Sequence, residues 1–194
     1  MHRLLPVAAP LTFGALVCAC QPPAADRYDA RAEVPDTARF ASEPIASPDA
    51  EGAVWAPSKT PLRLIYGQPG QHPLAAIACE MDGEAPRLRI TRFARADEGA
   101  QALMAIIGNG HRERFPVEAT NNGRAFLWEG TAPLSSEKLD VLTGQRGVEL
   151  TIPGAGTLAL NASERPRDLI ESCRAAIRSH SKDRDPQGQP ANGG

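Results

Sequence analysis

The sequence predicts a mainly β fold: a β-sandwich or a small open barrel of about seven to eight strands. A C-terminal α-helix and room for one short additional helix complete it. Three observations predict this. Between residues 59 and 178, short apolar stretches alternate with turn signals. Several of those stretches repeat with period two, which places alternate side chains on opposite faces of a strand. The chain of 194 residues contains 17 Gly and 18 Pro, which punctuate it too densely for a helical bundle or coiled coil.

The elements follow in order. Leu62, Leu64 and Tyr66 alternate, and Gly67-Gln68-Pro69-Gly70 turns the chain. Residues 74–79 form a small apolar strand ending at Cys79. Leu88 and Ile90 face one way, between Arg87, Arg89 and Thr91. Residues 102–107 are apolar on both faces, which predicts a strand covered on both sides. Gly108-Asn109-Gly110 reads as a tight turn into a strand over 111–117. Asn121-Asn122-Gly123 leads into a strand over 125–129, with Phe126 and Trp128 on one face, filling the core. Ser135 or Ser136 caps a short helix through Leu142, stopped by Gly144. Val148, Leu150 and Ile152 alternate, Pro153-Gly154-Ala155-Gly156 turns, and Leu158 and Leu160 return, which predicts a hairpin. Pro166 opens the final helix, which runs to about residue 178 and sets Leu169, Cys173, Ala176 and Ile177 on one face.

The flanks read differently. Met1-His2-Arg3 is a short basic start, and residues 4–20 carry no charge and are mostly apolar. That is short for a membrane span and fits a secretory signal over residues 1–19. Residues 20–58 read as a disordered tether. From 21 to 58, ten residues are Ala, six are Pro, seven are acidic and three are basic. So little apolar surface cannot offset ordering entropy. Trp55 is read as the first residue fixed on the domain. Residues 179–194 are polar, contain Pro and Gly, and read as a disordered tail.

Composition excludes some functions. The formal net charge is −2, so no positive field exists for nucleic acid. The folded stretch is near neutral. After the signal, His72, His111 and His180 remain, and none has metal-ligand spacing with Cys, Asp or Glu. No metal or cofactor is expected. No Gly-x-Ser-x-Gly elbow and no phosphate-cradling glycine loop is present. The carboxylate pairs Asp82/Glu84 and Asp97/Glu98 fall in predicted turns, where solvated acids are the default. An enzyme would need two of Asp82, Glu84, His111 and Glu129 to converge on one pocket. The reading is therefore not an enzyme.

Two cysteines remain in the domain, Cys79 and Cys173, and an exported compartment oxidises such a pair. A bridge would staple the last helix to the sheet. The candidate binding surface is basic. Arg87 and Arg89 share one strand face, and Arg112 and Arg114 share a face of another. Were those strands neighbours, four guanidiniums would gather on one surface for an anionic partner: a lipid headgroup, a glycan or an acidic protein. The other reading is a solvated face paired with Glu113, Glu118 and Glu149.

The signal ends in Val17-Cys18-Ala19-Cys20. This resembles the lipobox of bacterial lipoproteins. The resemblance implies lipidation of Cys20, which becomes the mature N-terminus on a membrane anchor. Gln21 then points to the outer membrane more than the inner, with the domain facing the periplasm. The strand layout of residues 62–177, Cys79, Cys173 and the ending Leu169-Ile170-Glu171-Ser172-Cys173 resemble the invasion-associated locus B type of exported β-rich proteins. The layout is also similar to lipoprotein lysozyme inhibitors, whose Ser-Gly-x-x-Tyr loop would fall near Asn122-Gly123-Arg124-Ala125-Phe126; here Asn and Phe stand where that loop has Ser and Tyr. These resemblances imply an anchored envelope protein. Its expected role is a non-catalytic binding or assembly module with an envelope protein partner; an inhibitor of lysozyme or a protease is the alternative.

Overall fold

The computed structural model describes residues 42–82 and 85–184, with the side chains of the last helix described through residue 178. The fold is mainly β, as the patterning predicts. Nine antiparallel strands form one sheet: β1 Val54–Pro57, β2 Arg63–Gly67, β3 Ala75–Glu80, β4 Arg87–Arg95, β5 Gln101–Gly108, β6 His111–Asn121, β7 Phe126–Pro133, β8 Val148–Thr151 and β9 Thr157–Leu160. Their order in the sheet is β1-β2-β3-β4-β7-β6-β5-β8-β9. The sheet curls into a nearly closed barrel of nine strands rather than the expected seven to eight, with β1 lying in the stretch read as tether; the barrel alternative is nearer than the two-sheet sandwich.

Closure follows from a few polar contacts at the seam. The Tyr66 hydroxyl on β2 donates to the Ala159 carbonyl on β9 at 3.0 Å and accepts from the Asn161 N–H at 2.9 Å. The Asn161 side-chain amide donates to the carbonyls of Ala50 and Ala53. Trp55 on β1 packs on the Tyr66 ring with centroids 5.0 Å apart. Inward positions of each strand fill the barrel: Leu64 and Tyr66, Leu88 and Ile90, Met104 and Ile106, Phe115 and Val117, Leu150, Leu158. Trp128 joins them, as expected, while Phe126 is half-buried.

The turns behave as their residues dictate. Gly108 pairs with His111, leaving Asn109-Gly110 as a two-residue loop with φ of 53° and 86°. Both residues sit in the left-handed region, the conformation that a type I′ hairpin needs. The Asn109 amide then donates to the Val141 carbonyl and accepts from the Arg146 N–H. The β8–β9 hairpin pairs Val148 with Leu160 and Leu150 with Leu158, as the alternation predicts. The short helix is a single 3-10 stretch, Glu137–Leu142, with the Ser136 hydroxyl accepting from the Lys138 N–H.

The final helix α1, Arg165–Arg184, buries Leu169, Ile170 and Cys173. Cys173 is bonded to Cys79, with Cα atoms 6.4 Å apart and a sequence separation of 94. Arg174 donates to the carbonyls of Leu134 and Ser136 and pairs with Asp140, fixing the helix beside the 3-10 turn.

Several expectations are corrected. The packed region begins well before residue 59. Ile45 donates its N–H to the Gly154 carbonyl, the Ser47 hydroxyl accepts from the Thr157 N–H, and Ala50 and Ala53 are buried. Ser42 donates through both its N–H and its hydroxyl to Asp97, which holds that carboxyl below its ordinary range. Residues 42–58 are therefore part of the domain rather than tether. Residues 54–57 pair with the nearby β2, whereas the partners of Ser42, Ile45, Ser47, Ala50 and Ala53 at Asp97, Gly154, Thr157 and Asn161 lie more than fifty residues away. The last helix continues six residues past 178, so the start of the expected tail is helical. Residues 102–107 lie between β6 and β8 but are covered on one side only. Met104 and Ile106 are buried, while Leu103 is 54% and Ile107 46% exposed. The signal over residues 1–19, Cys20 and the tether up to residue 41 lie outside the described residues, as do residues 185–194.

Candidate functional site: the outer face of the sheet

The outward positions of β3 to β7 build a polar floor. In register, Ala76 stands beside Thr91, Thr91 beside Glu129, Glu129 beside Glu118, and Glu118 beside Gln101. One step along, Ala78 stands beside Arg89 and Arg89 beside Thr131. Small side chains on β3 leave space above them, and long ones on β4 and β7 form the walls.

At the centre Arg89 bridges two carboxylates. It pairs with Glu80 in close contact and with Glu129 at 3.4 Å. Glu129 also accepts from the Thr91 hydroxyl at 3.0 Å. Thr91, though outward-facing, is buried beneath this cluster. Two grooves flank the cluster. One, of about 750 Å³, runs past Leu103, Pro116, Glu118 and Thr131. The other, of about 680 Å³, runs past Leu62, Ala76, Ala78, Glu80 and Asp82. Both include Arg89 and Glu129.

The backbone explains the first groove. Regular pairing of β6 with β7 covers Glu118 to Asn121 and stops short of Pro116, which has no N–H to donate. At that point Gly130 lets the Pro116 carbonyl approach β7; a Cβ there would stand 2.6 Å from it. Pro116 and Gly130 thus interrupt the ladder where the groove forms.

The four arginines of the expected basic face do not converge. β4 and β6 are not neighbours, because β7 lies between them. Arg89 is neutralised by Glu80 and Glu129, and Arg87 donates to the Thr131 hydroxyl at 3.4 Å. Arg112 and Arg114 are exposed and make no ion pair among the described residues. Arg112 lies one strand from Ile107 and two from Glu149, so the pairing with Glu149 does not form either. The remaining basic surface is Arg112 and Arg114 beside the exposed Ile107 and Leu103 on β5.

Of the residues an enzyme would need, two do meet in one groove: Asp82 and Glu129 both line the second, where Glu129 is held by Arg89 and Thr91, while His111 lies at the far end of β6. Glu84 lies outside the described residues. Among the described residues no cluster of His, Cys, Asp or Glu could hold a metal, and no helix is long and apolar enough to cross a membrane. Sequence reasoning missed Glu80, Thr91 and the centrality of Glu129. Their cluster depends on β7 pairing with β4 across a 40-residue separation, which no local pattern encodes.

The fold and site define the class: a curled antiparallel sheet with one stapled helix and a grooved outer face. Comparison with known proteins returns no matching family model, no curated relative and no matching solved structure.

Proposed function

We propose that this chain is a lipid-anchored protein of the bacterial cell envelope, held in the membrane through Cys20, with its domain facing the periplasm at the outer membrane. The domain is a non-catalytic module that binds or assembles with an envelope protein. The lipobox-like Val17-Cys18-Ala19-Cys20 supports the anchor, and the Cys79–Cys173 bridge suits an oxidising compartment. The observation that carries the binding reading is the open face of β5. Leu103 and Ile107 stand exposed on an interior strand of the sheet, next to Arg112 and Arg114, which make no ion pair among the described residues, and Leu103 also lines the larger of the two grooves. Leu103, Ala105 and Ile107 alternate onto one strand face, and a run of apolar surface rimmed by polar groups is the kind of surface that contact sites use. The partner that fits presents an apolar anchor for Leu103 and Ile107 and a carboxylate for Arg112 or Arg114.

The experiment is crosslinked capture of the intact protein from its own membranes, read by mass spectrometry, with Leu103→Asp/Ile107→Asp in parallel. Both changes are on the outer face, so the barrel should remain folded. One dominant stoichiometric partner, lost in the double variant, is the expected result. A partner retained by that variant would place the contact elsewhere, and no partner above background would remove the assembly role.

A further inference from the structure

Among the described residues, two buried side-chain polar atoms have no hydrogen-bond partner: Nε of Arg92 and Nε1 of Trp128. They belong to one register pair, Arg92 on β4 opposite Trp128 on β7. Both side chains turn into the barrel, and they are 3% and 7% exposed. Directly opposed residues hold their Cβ atoms about 5 Å apart. The two orphan donors therefore belong to side chains that spring from neighbouring positions on the inner face of the sheet.

Among the described residues Arg92 has one polar contact, Nη1 donating to the Leu74 carbonyl at 2.9 Å. That carbonyl also accepts from the Phe93 N–H, so both its lone pairs are used. No described carboxylate pairs with Arg92. Burial pulls the guanidinium below its ordinary range, yet an arginine still keeps its proton at neutral pH. A buried cation without a counter-charge is among the costlier features a fold can hold. The indole N–H can only donate, as can every guanidinium nitrogen. Donors alone around an uncompensated cation are complemented by an anion that only accepts.

The backbone breaks at the same place. β4 and β7 pair regularly up to Arg92–Trp128, and the next partners are Arg95 and Leu127, so Phe93 and Ala94 are extra. Such a bulge re-aims a side chain and ends pairing, and bulges are over-represented beside functional sites. It leaves the ladder open directly next to the two orphan donors.

We propose that Arg92 and Trp128 form an anion site inside the rim of the barrel, taking a compact monovalent anion of the halide or short-carboxylate class. It is separate from the outer-face grooves, because both residues point to the opposite side of the sheet.

The test is chloride-35 NMR on the full chain in a non-ionic detergent. The expected result is line broadening that saturates with chloride, is abolished by Arg92→Met, and needs about tenfold more chloride in Trp128→Phe, the loss of one charge-assisted hydrogen bond. Trp128→Phe keeps an aromatic ring and the guanidinium while removing the indole N–H, so it carries the test if Arg92→Met does not fold. Broadening displaced by millimolar acetate identifies a carboxylate as the better occupant; broadening that acetate leaves intact identifies the halide. Absence of saturable broadening in the unaltered chain, or equal affinity in both variants, overturns the proposal.

Discussion

At Tyr66 one hydroxyl ties β2 to the far end of the curled sheet. It donates to Ala159 and accepts from Asn161, so it joins β2 to the end of β9 while its ring packs on Trp55. Tyr66→Phe keeps the ring and leaves two backbone groups without their partner. The expected cost is about 2 kcal/mol, the usual penalty for unsatisfied buried groups, read from the urea midpoint. The same hydroxyl predicts a pH effect. Burial raises its pKa above the ordinary 10.0, and the Asn161 hydrogen bond only partly opposes this. The unfolded chain therefore ionises first as pH rises. Stability from this group is complete below about pH 10 and is lost as pH climbs toward the folded value. Urea midpoints between pH 8 and 11 should fall in the unaltered protein, and this component should vanish in Tyr66→Phe. An unchanged alkaline profile in the variant would show that other groups set it. Arg92 is a residue that period two could have placed: it falls on the Leu88/Ile90 face, inward, whereas Arg87 and Arg89 fall outward. What the pattern could not show is that Trp128 would stand opposite it.

Among the elements, those with local causes were legible and those with distant causes were not. The Asn109-Gly110 turn, the β8–β9 hairpin and the apolar face of α1 each follow from residues a few positions apart. The adjacency of β4 and β7, on which the Arg89–Glu129 cluster depends, joins segments about forty residues apart and has no local signature. The same is true of residues 42–53, whose Ala- and Pro-rich composition reads as tether although Ser47 and Ala50 find partners on β9 and at Asn161. Leu103 shows the converse: an apolar run predicted cover on both faces, and the sheet gave it only one. The Cys79–Cys173 bridge was legible because only two cysteines remain in the domain. Its energetic role can be measured at the level of the helix. It closes a loop of 94 residues, for which the chain-entropy model gives about 4.6 kcal/mol. Replacing both cysteines by Ala should lower stability by about 3–5 kcal/mol, with amide exchange accelerating first in α1. Uniform acceleration across β5, β6 and α1 together would mean that the helix is not a separable unit.

For the whole molecule, the proposed anchor and the described domain set a distance. Ser42, the first described residue, is already packed on the domain, and residues 21–41 lie between it and Cys20 in the sequence. A chain of that length spans at most about 75 Å even fully extended, so a partner reached through Leu103 and Ile107 has to lie within that range of the membrane plus the width of the domain. The anchor is tested by distinguishing Cys18 from Cys20, which Ala19 separates. In a bacterial host fed a radiolabelled fatty acid, the unaltered chain and Cys18→Ser should take up label, and Cys20→Ser should not. The Cys20→Ser chain should also leave the membrane fraction while its Cys79–Cys173 bridge still forms, because that bridge belongs to the folded domain alone. Label retained by Cys20→Ser, or lost in Cys18→Ser, would move the acceptor to Cys18. Label absent from all three chains would remove the lipid anchor, and with it the distance limit on the partner. The β5 face would then have to be tested against soluble partners as well as membrane-bound ones.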